Sequence, residues 1–273
     1  MDGCVRTMLR IQTFAGWFQR NTLKWCVQLA VVLLIALALK LGYSSASPNQ
    51  LRWILAPTTL LVELVSATEF EFESHAGYMS DDHSFLIAGS CAGVNFLITS
   101  FLMLSLRKLW RVRSQGRSQN APGLPWRFIP IAAVFAYLAT LVANTVRIST
   151  ALRLRHMQLD TGWLSENQFH RFQGIFIYFG FLLLLFMVNE KLGRDDVVQY
   201  PTQASHGVAD LFRQSFFPLL VYYATVLGLP LANAAFRSGS VANDFWEHSL
   251  FVLLIPPLLI LPLAMFLKVK GEK

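Results

Sequence analysis

Apolar residues run along this chain in long stretches separated by polar intervals. Clear runs cover 25–43, 84–106, 128–148 and 170–189. Two more, 214–235 and 245–267, are interrupted by Pro218 and Pro230 and by Pro256, Pro257 and Pro262. Runs of about 20 apolar residues match the thickness of a bilayer core. Prolines inside them are tolerated in lipid where neighbouring helices satisfy the backbone groups they free. The stretch 52–66 is weaker, being short and holding Pro57 and Glu63. It reads either as a span or as a re-entrant or interfacial helix. The pattern predicts an all-α fold, a polytopic integral membrane helical bundle of about 6–8 transmembrane segments. Residues 1–24 form a cytoplasmic or interfacial segment, which Trp17 and Phe18 can seat on the membrane surface. Residues 25–267 form one transmembrane domain, and 268–273 a cytoplasmic tail.

The polar intervals differ in charge. Residues 107–127 carry Arg107, Lys108, Arg111, Arg113, Arg117 and Arg127, whereas 67–83 carries Glu69, Glu71, Glu73, Asp81 and Asp82. If the N-terminus, 107–127, 190–213 and the C-terminus face the cytoplasm, 16 of the 23 Lys and Arg lie inside, as the positive-inside rule requires. The acidic 67–83 loop and the 149–169 interval then lie outside. Parity follows: the 84–106 span starts outside, so 52–66 does not cross. Six full spans and one partial segment result.

Composition narrows the class. The chain is 54% hydrophobic and 14% charged over 273 residues, which leaves no room for a large soluble module. Its net charge of +7 is explained by basic cytoplasmic loops, so no nucleic-acid partner is implied; membrane lipid is. Cys4, Cys26 and Cys91 are odd in number and widely spaced, which argues against a disulfide framework. No metal-ligand cluster and no cofactor motif occurs. The seven Trp residues fall at or beyond span ends, as an aromatic belt predicts.

Candidate chemistry gathers at three span ends. Gly89 and Gly93 form a G-x-x-x-G pair around Cys91, the pattern by which membrane helices approach closely. Read as helix, the run also places Cys91 and Asn95 on one face. Tyr137, Thr140, Asn144 and Arg147 are spaced to share a second helical stripe, and Gly174 lies one turn from His170 on a third. Under the charge-derived topology, Cys91, Arg147 and His170 share one depth near the outer face. A thiolate nucleophile, an Arg that stays charged and a His that moves protons are the parts needed for acyl transfer at a peptide carbonyl. Each residue also has a plainer reading. Cys91 alone fits as a small packing residue, Arg147 as a snorkelling anchor, His170 as an interfacial residue and the stripe as helix-to-helix glue.

Three short motifs resemble those of the exosortase/archaeosortase family. Ser90, Cys91, Ala92 and Gly93 are similar to its A-C-S-G motif, with alanine after the cysteine where serine is common. Asn144, Thr145, Val146, Arg147 and Ile148 are similar to N-x-x-R-I, and His170 through Gly174 resembles H-x-x-x-G. Order and approximate spacing fit over about residues 50–190, and the G-S-C-A-G-V-N-F form is most similar to the exosortase K branch. The resemblance implies a membrane cysteine protease or transpeptidase of the bacterial cytoplasmic (inner) membrane, active toward the periplasmic side. Its substrates would be exported proteins with a C-terminal sorting signal of motif, transmembrane helix and basic tail. It implies Cys91 as nucleophile, Arg147 as stabiliser and His170 as general base and acid. Asn144, Asn95 and Gly174 would support them. Two other classes fit the composition: a small polytopic transporter with the polar stripe lining a path, and a non-catalytic membrane assembly factor. Neither needs Cys91 as a nucleophile.

Overall fold

The computed structural model describes residues 2–115, 125–156, 166–192, 208–228, 246 and 248–260. The helices are α1 (Asp2–Ser44), α2 (Arg52–Ser66), α3 (Val94–Gln115), α4 (Phe128–His156), α5 (Glu166–Leu192) and α6 (Val208–Tyr223). A π-helical turn, Ala224–Gly228, extends α6, and α7 covers His248–Ile260. Among the described residues, four segments are long and apolar enough to cross a membrane: Thr22–Ser44, Gly89–Arg113, Phe128–Arg155 and Arg171–Leu192. Of the two proline-broken runs, the described parts are the shorter apolar helices Phe216–Gly228 and His248–Ile260. Residues 229–247 (Trp246 apart) and 261–267 lie outside the described residues, as do 1, 116–124, 157–165, 193–207 and the 268–273 tail. Four of the expected segments are thus seen at spanning length among the described residues.

The burial pattern is that of a bundle in lipid. Val32 on α1 is 0% exposed while Leu34 beside it is 61% exposed, and Leu41 and Leu64 are likewise bare. An apolar exterior over an apolar core is compatible with a lipid environment. The core is a single cluster centred on α3, α4 and α5, with Phe101, Met103, Phe179 and Leu182 fully buried.

Side-chain bonds fix how the helices run. Trp25 Nε1 donates to the Leu109 carbonyl (3.3 Å), and at the other end Lys40 Nζ donates to Asn95 Oδ1 (3.0 Å), so α1 is antiparallel to α3. The Arg107 guanidinium grips Glu190 through Nε (2.7 Å) and Nη2 (3.0 Å), with Arg111 Nη2 also on Glu190 (2.8 Å). Phe96 stacks on Tyr178 two turns or more away. Hence α5 runs parallel to α3, and the basic end of α3 lies opposite the end that carries Cys91.

The all-α expectation fails between α2 and α3. Residues 67–83, expected as an acidic loop, contribute two strands of a small antiparallel sheet ordered β1 (Phe70–Glu73), β2 (Gly77–Ser80) and β3 (Leu86–Ala88). Phe70 pairs with Ser80 and Tyr78 with Ile87. The signal was the alternation Phe70-Glu71-Phe72-Glu73, a period-2 strand pattern that buries Phe70 and exposes Glu71. Gly77 makes the ladder possible: its φ is +128°, and a Cβ there would strike the Ile87 carbonyl.

Helix α2 matches the weak 52–66 segment, and both its ends contact this sheet. Arg52 lies over the Phe72 ring at 4.5 Å, and Glu63 Oε1 accepts from the Phe70 amide at 3.0 Å. A helix returning to one sheet from both ends agrees with a segment that does not cross. Pro57 sits inside α2 and leaves the Trp53 carbonyl without its helical donor. The Tyr137 hydroxyl supplies one at 2.8 Å. Pro257 in α7 likewise frees the Leu253 carbonyl, which accepts from the Tyr223 hydroxyl at 3.0 Å. At these two prolines a hydroxyl from a neighbouring helix thus satisfies the freed carbonyl.

Candidate functional site around Cys91 and Arg147

The cysteine run does not open as a helix. After β3 the chain makes one 3₁₀ turn, Gly89–Ala92, then Gly93 adopts a left-handed conformation at φ 71° before α3 begins at Val94. Gly89 and Gly93 therefore are not a helical G-x-x-x-G interface, and Cys91 and Asn95 do not share a helical face. The glycine matters for a different reason. A Cβ at Gly93 would lie 3.2 Å from Thr140 Cγ2 and 3.3 Å from Asn144 Cγ, so only glycine lets the turn press against α4. Cys91 sits in that turn, half-buried, with a free thiol. Asn95 is exposed, and its Oδ1 accepts from Lys40.

A chain of hydrogen bonds links the cysteine turn to Arg147. Asn144 Nδ2 donates to the Cys91 carbonyl at 2.6 Å. The Tyr178 hydroxyl donates to Asn144 Oδ1 at 2.8 Å, and Arg147 Nη1 donates to that hydroxyl at 3.2 Å. The guanidinium also lies over the Tyr178 ring, 5.3 Å from its centroid. Cys91, Tyr43, Arg147 and Tyr178 are all within electrostatic range of one another. Gln173 Nε2 donates to the Arg147 carbonyl at 2.9 Å, locking α5 to α4 at this depth.

Gly174 has a specific purpose here. A Cβ at Gly174 would lie 3.3 Å from Arg147 Nε, so the missing side chain is the space in which the guanidinium rests. His170 belongs to α5 four positions before Gly174; its side chain lies outside the described residues. The structure thus brings Cys91, Asn144, Arg147 and Gly174 together, and holds Asn95 at the rim. It alters one expected role: Asn144 does not hold the guanidinium directly. Tyr178 does, with Asn144 behind it. Tyr178 was open to detection, because 170, 174 and 178 recur at helical spacing on one face of α5.

A cavity of about 330 Å³ adjoins this cluster. Arg147, Tyr178, Gly174, Ser90 and Gly93 contribute to its wall, so the residues on both sides of Cys91 face it. Thr225 in the π-helical turn also lines it and pairs with Thr99 at 2.8 Å. Among the described residues, no three His, Cys, Asp or Glu approach closely enough to hold a metal ion.

The fold defines the class, a helical protein of membrane type with a thiol and a guanidinium coupled at one end of its bundle. Beyond that class, no family model matches the chain, and neither a curated protein nor a solved structure is found similar to it.

Proposed function

We propose that this chain is a membrane-embedded cysteine protease or transpeptidase of the exosortase type, with Cys91 as nucleophile. The observation that supports it best is the Cys91–Asn144–Tyr178–Arg147 chain, which couples the only cysteine at this end of the described bundle to a fixed positive charge. In this reading the Cys91 thiolate attacks a peptide carbonyl of a substrate whose C-terminal helix lies in the bilayer. His170 takes the thiol proton and returns it to the leaving amine. Arg147 stabilises first the thiolate and then the negative charge on the carbonyl oxygen. Asn144 and Tyr178 hold the turn and the guanidinium in register. The bundle would carry six spans, with the sheet and the site at the periplasmic face of the bacterial inner membrane.

The test is processing in the native host. Cys91→Ser and Cys91→Ala are expected to insert normally and to accumulate an uncut membrane precursor. Cys4→Ala and Cys26→Ala are expected to process as the wild type does. Normal processing by Cys91→Ala would return Cys91 to the role of a packing residue.

A further inference from the structure

The cavity near Cys91 is walled by α1, the cysteine turn and helices α3 to α7, and its ionisable groups come from five of these helices. Lys40 and Tyr43 project from α1, Arg147 from α4, Arg171 and Tyr178 from α5, Tyr222 from α6 and His248 from α7. Lys40 Nζ is engaged with Asn95 Oδ1, guanidinium has no lone pair to accept a proton, and imidazole has both a nitrogen that accepts a proton and one that donates. Among the described lining residues, His248 is thus the group able to take up and return a proton near neutrality. It opens α7 in the C-terminal part of the chain, where none of the three sequence motifs lies. Arg171 is its neighbour within electrostatic range.

Acyl transfer through a cysteine has two halves. The first forms a thioester and needs a base at the thiol. The second needs an acceptor, water or an amine, to reach the acyl carbon and shed a proton. Much of the outer surface of the bundle is apolar, so a polar acceptor approaches through polar space. The cavity offers such a route through a mainly apolar wall: Lys40, Arg147, Arg171 and His248 supply its polar groups, Ser90 and Gly93 near Cys91 line it, and its volume equals roughly ten liquid waters.

Resting on the reading of Cys91 as nucleophile, we propose that His248 is the proton acceptor for the second half-reaction. The acceptor's lone pair forms a bond to the acyl carbon, and its proton passes to the imidazole of His248. The carbon–sulfur bond breaks, and its electron pair remains on the Cys91 sulfur as thiolate beside Arg147. The imidazolium then returns the proton to the thiolate, which restores both groups without any further reactant.

The experiment follows the tagged full-length enzyme in native membranes, on non-reducing gels before and after neutral hydroxylamine, at matched inserted level. His248→Gln is expected to accumulate a hydroxylamine-labile enzyme–substrate adduct about tenfold above wild type. The adduct should vanish in the His248→Gln, Cys91→Ala double variant. Imidazole added to His248→Gly membranes is expected to discharge the adduct, which a purely structural residue would not permit. Wild-type processing by His248→Gln, or loss of processing with no adduct, overturns this role while leaving the Cys91 reading intact. Failure of every His248 variant to insert assigns the residue to folding and also overturns it. Normal processing by Cys91→Ala removes the reading on which it rests.

Discussion

At the scale of single residues, Arg147 separates catalysis from anchoring. An anchoring arginine is replaced well by lysine, since both carry a charge on a long apolar stem. Arg147 instead lies against Gly174, bonds Tyr178 through one nitrogen and stacks over its ring. Only a planar, permanently charged fork fits those three contacts. Arg147→Lys is therefore expected to lower substrate cleavage about 10²-fold at near-normal membrane level, the effect of losing one aimed stabilising group. Tyr178→Phe keeps the Phe96 stack but removes the hydroxyl between Arg147 and Asn144. Cleavage should fall about tenfold, equivalent to one buried hydrogen bond of ~1.4 kcal/mol. Wild-type cleavage by both variants would leave Arg147 as an anchor. The pairing of Asn144 and Arg147 was legible because helical spacing is a local rule. That Asn144 reaches the cysteine turn, and not the guanidinium, depends on how α3 and α4 pack, which spacing does not encode.

At the scale of elements, the boundaries of α2 were legible from the apolar pattern, while the sheet after it was overlooked beneath its charge. Its strands are only three or four residues long, so little periodicity is available to read. The same loss occurred at Gly93, where an apolar run conceals a break that only φ reveals. Two outcomes belong here. Tyr137→Phe leaves the Trp53 carbonyl, already deprived of a donor by Pro57, without its substitute. The expected cost is about 1–3 kcal/mol, read as a lower unfolding midpoint in detergent with cleavage retained below it. The β2–β3 turn carries the second. The Asp82 carboxylate accepts from the Ser80 hydroxyl (2.6 Å) and the Ser84 amide (3.1 Å), and bonds to these two serines hold it near pH 2 instead of the usual carboxylate value. A depressed carboxylate favours the folded turn at pH above its unfolded value of about 3.9. That contribution is lost as pH falls from about 4 through about 2. Protection of the Ser84 and Phe85 amides, taken relative to their intrinsic exchange rates, should thus stay high at pH 5 and fall only below pH 4. Asp82→Asn should show the lower protection already at pH 5.

At the scale of the whole molecule, the two ends of the bundle are chemically opposite. One end carries the acidic sheet, Cys91 and the Arg147 cluster; the other carries Arg107, Arg111 and Arg113, with Arg113 over the Trp25 ring at 4.3 Å. The 22 residues of α3 connect them. At 1.5 Å per residue that helix is about 33 Å long, close to the ~30 Å of a bilayer core. A membrane normal along α3 would separate the sheet from Gln115, and the proposed orientation puts Gln115 on the cytoplasmic side. The Glu190 cluster does not weaken the assignment, because the rule counts Lys and Arg near span ends and acidic residues contribute little. Single cysteines placed at His75 and at Gln115, with the native Cys4, Cys26 and Cys91 replaced, provide the measurement. An impermeant maleimide added to intact spheroplasts should label the His75 site, on the exposed β1–β2 turn, and should label Gln115 only after the membrane is opened. Reversed labelling would put the thiol of Cys91 on the cytoplasmic side, where an exported substrate has not yet arrived. Equal labelling of both sites would mean that α3 lies within the interface, and the shared depth of Cys91 and Arg147 would then follow from packing alone.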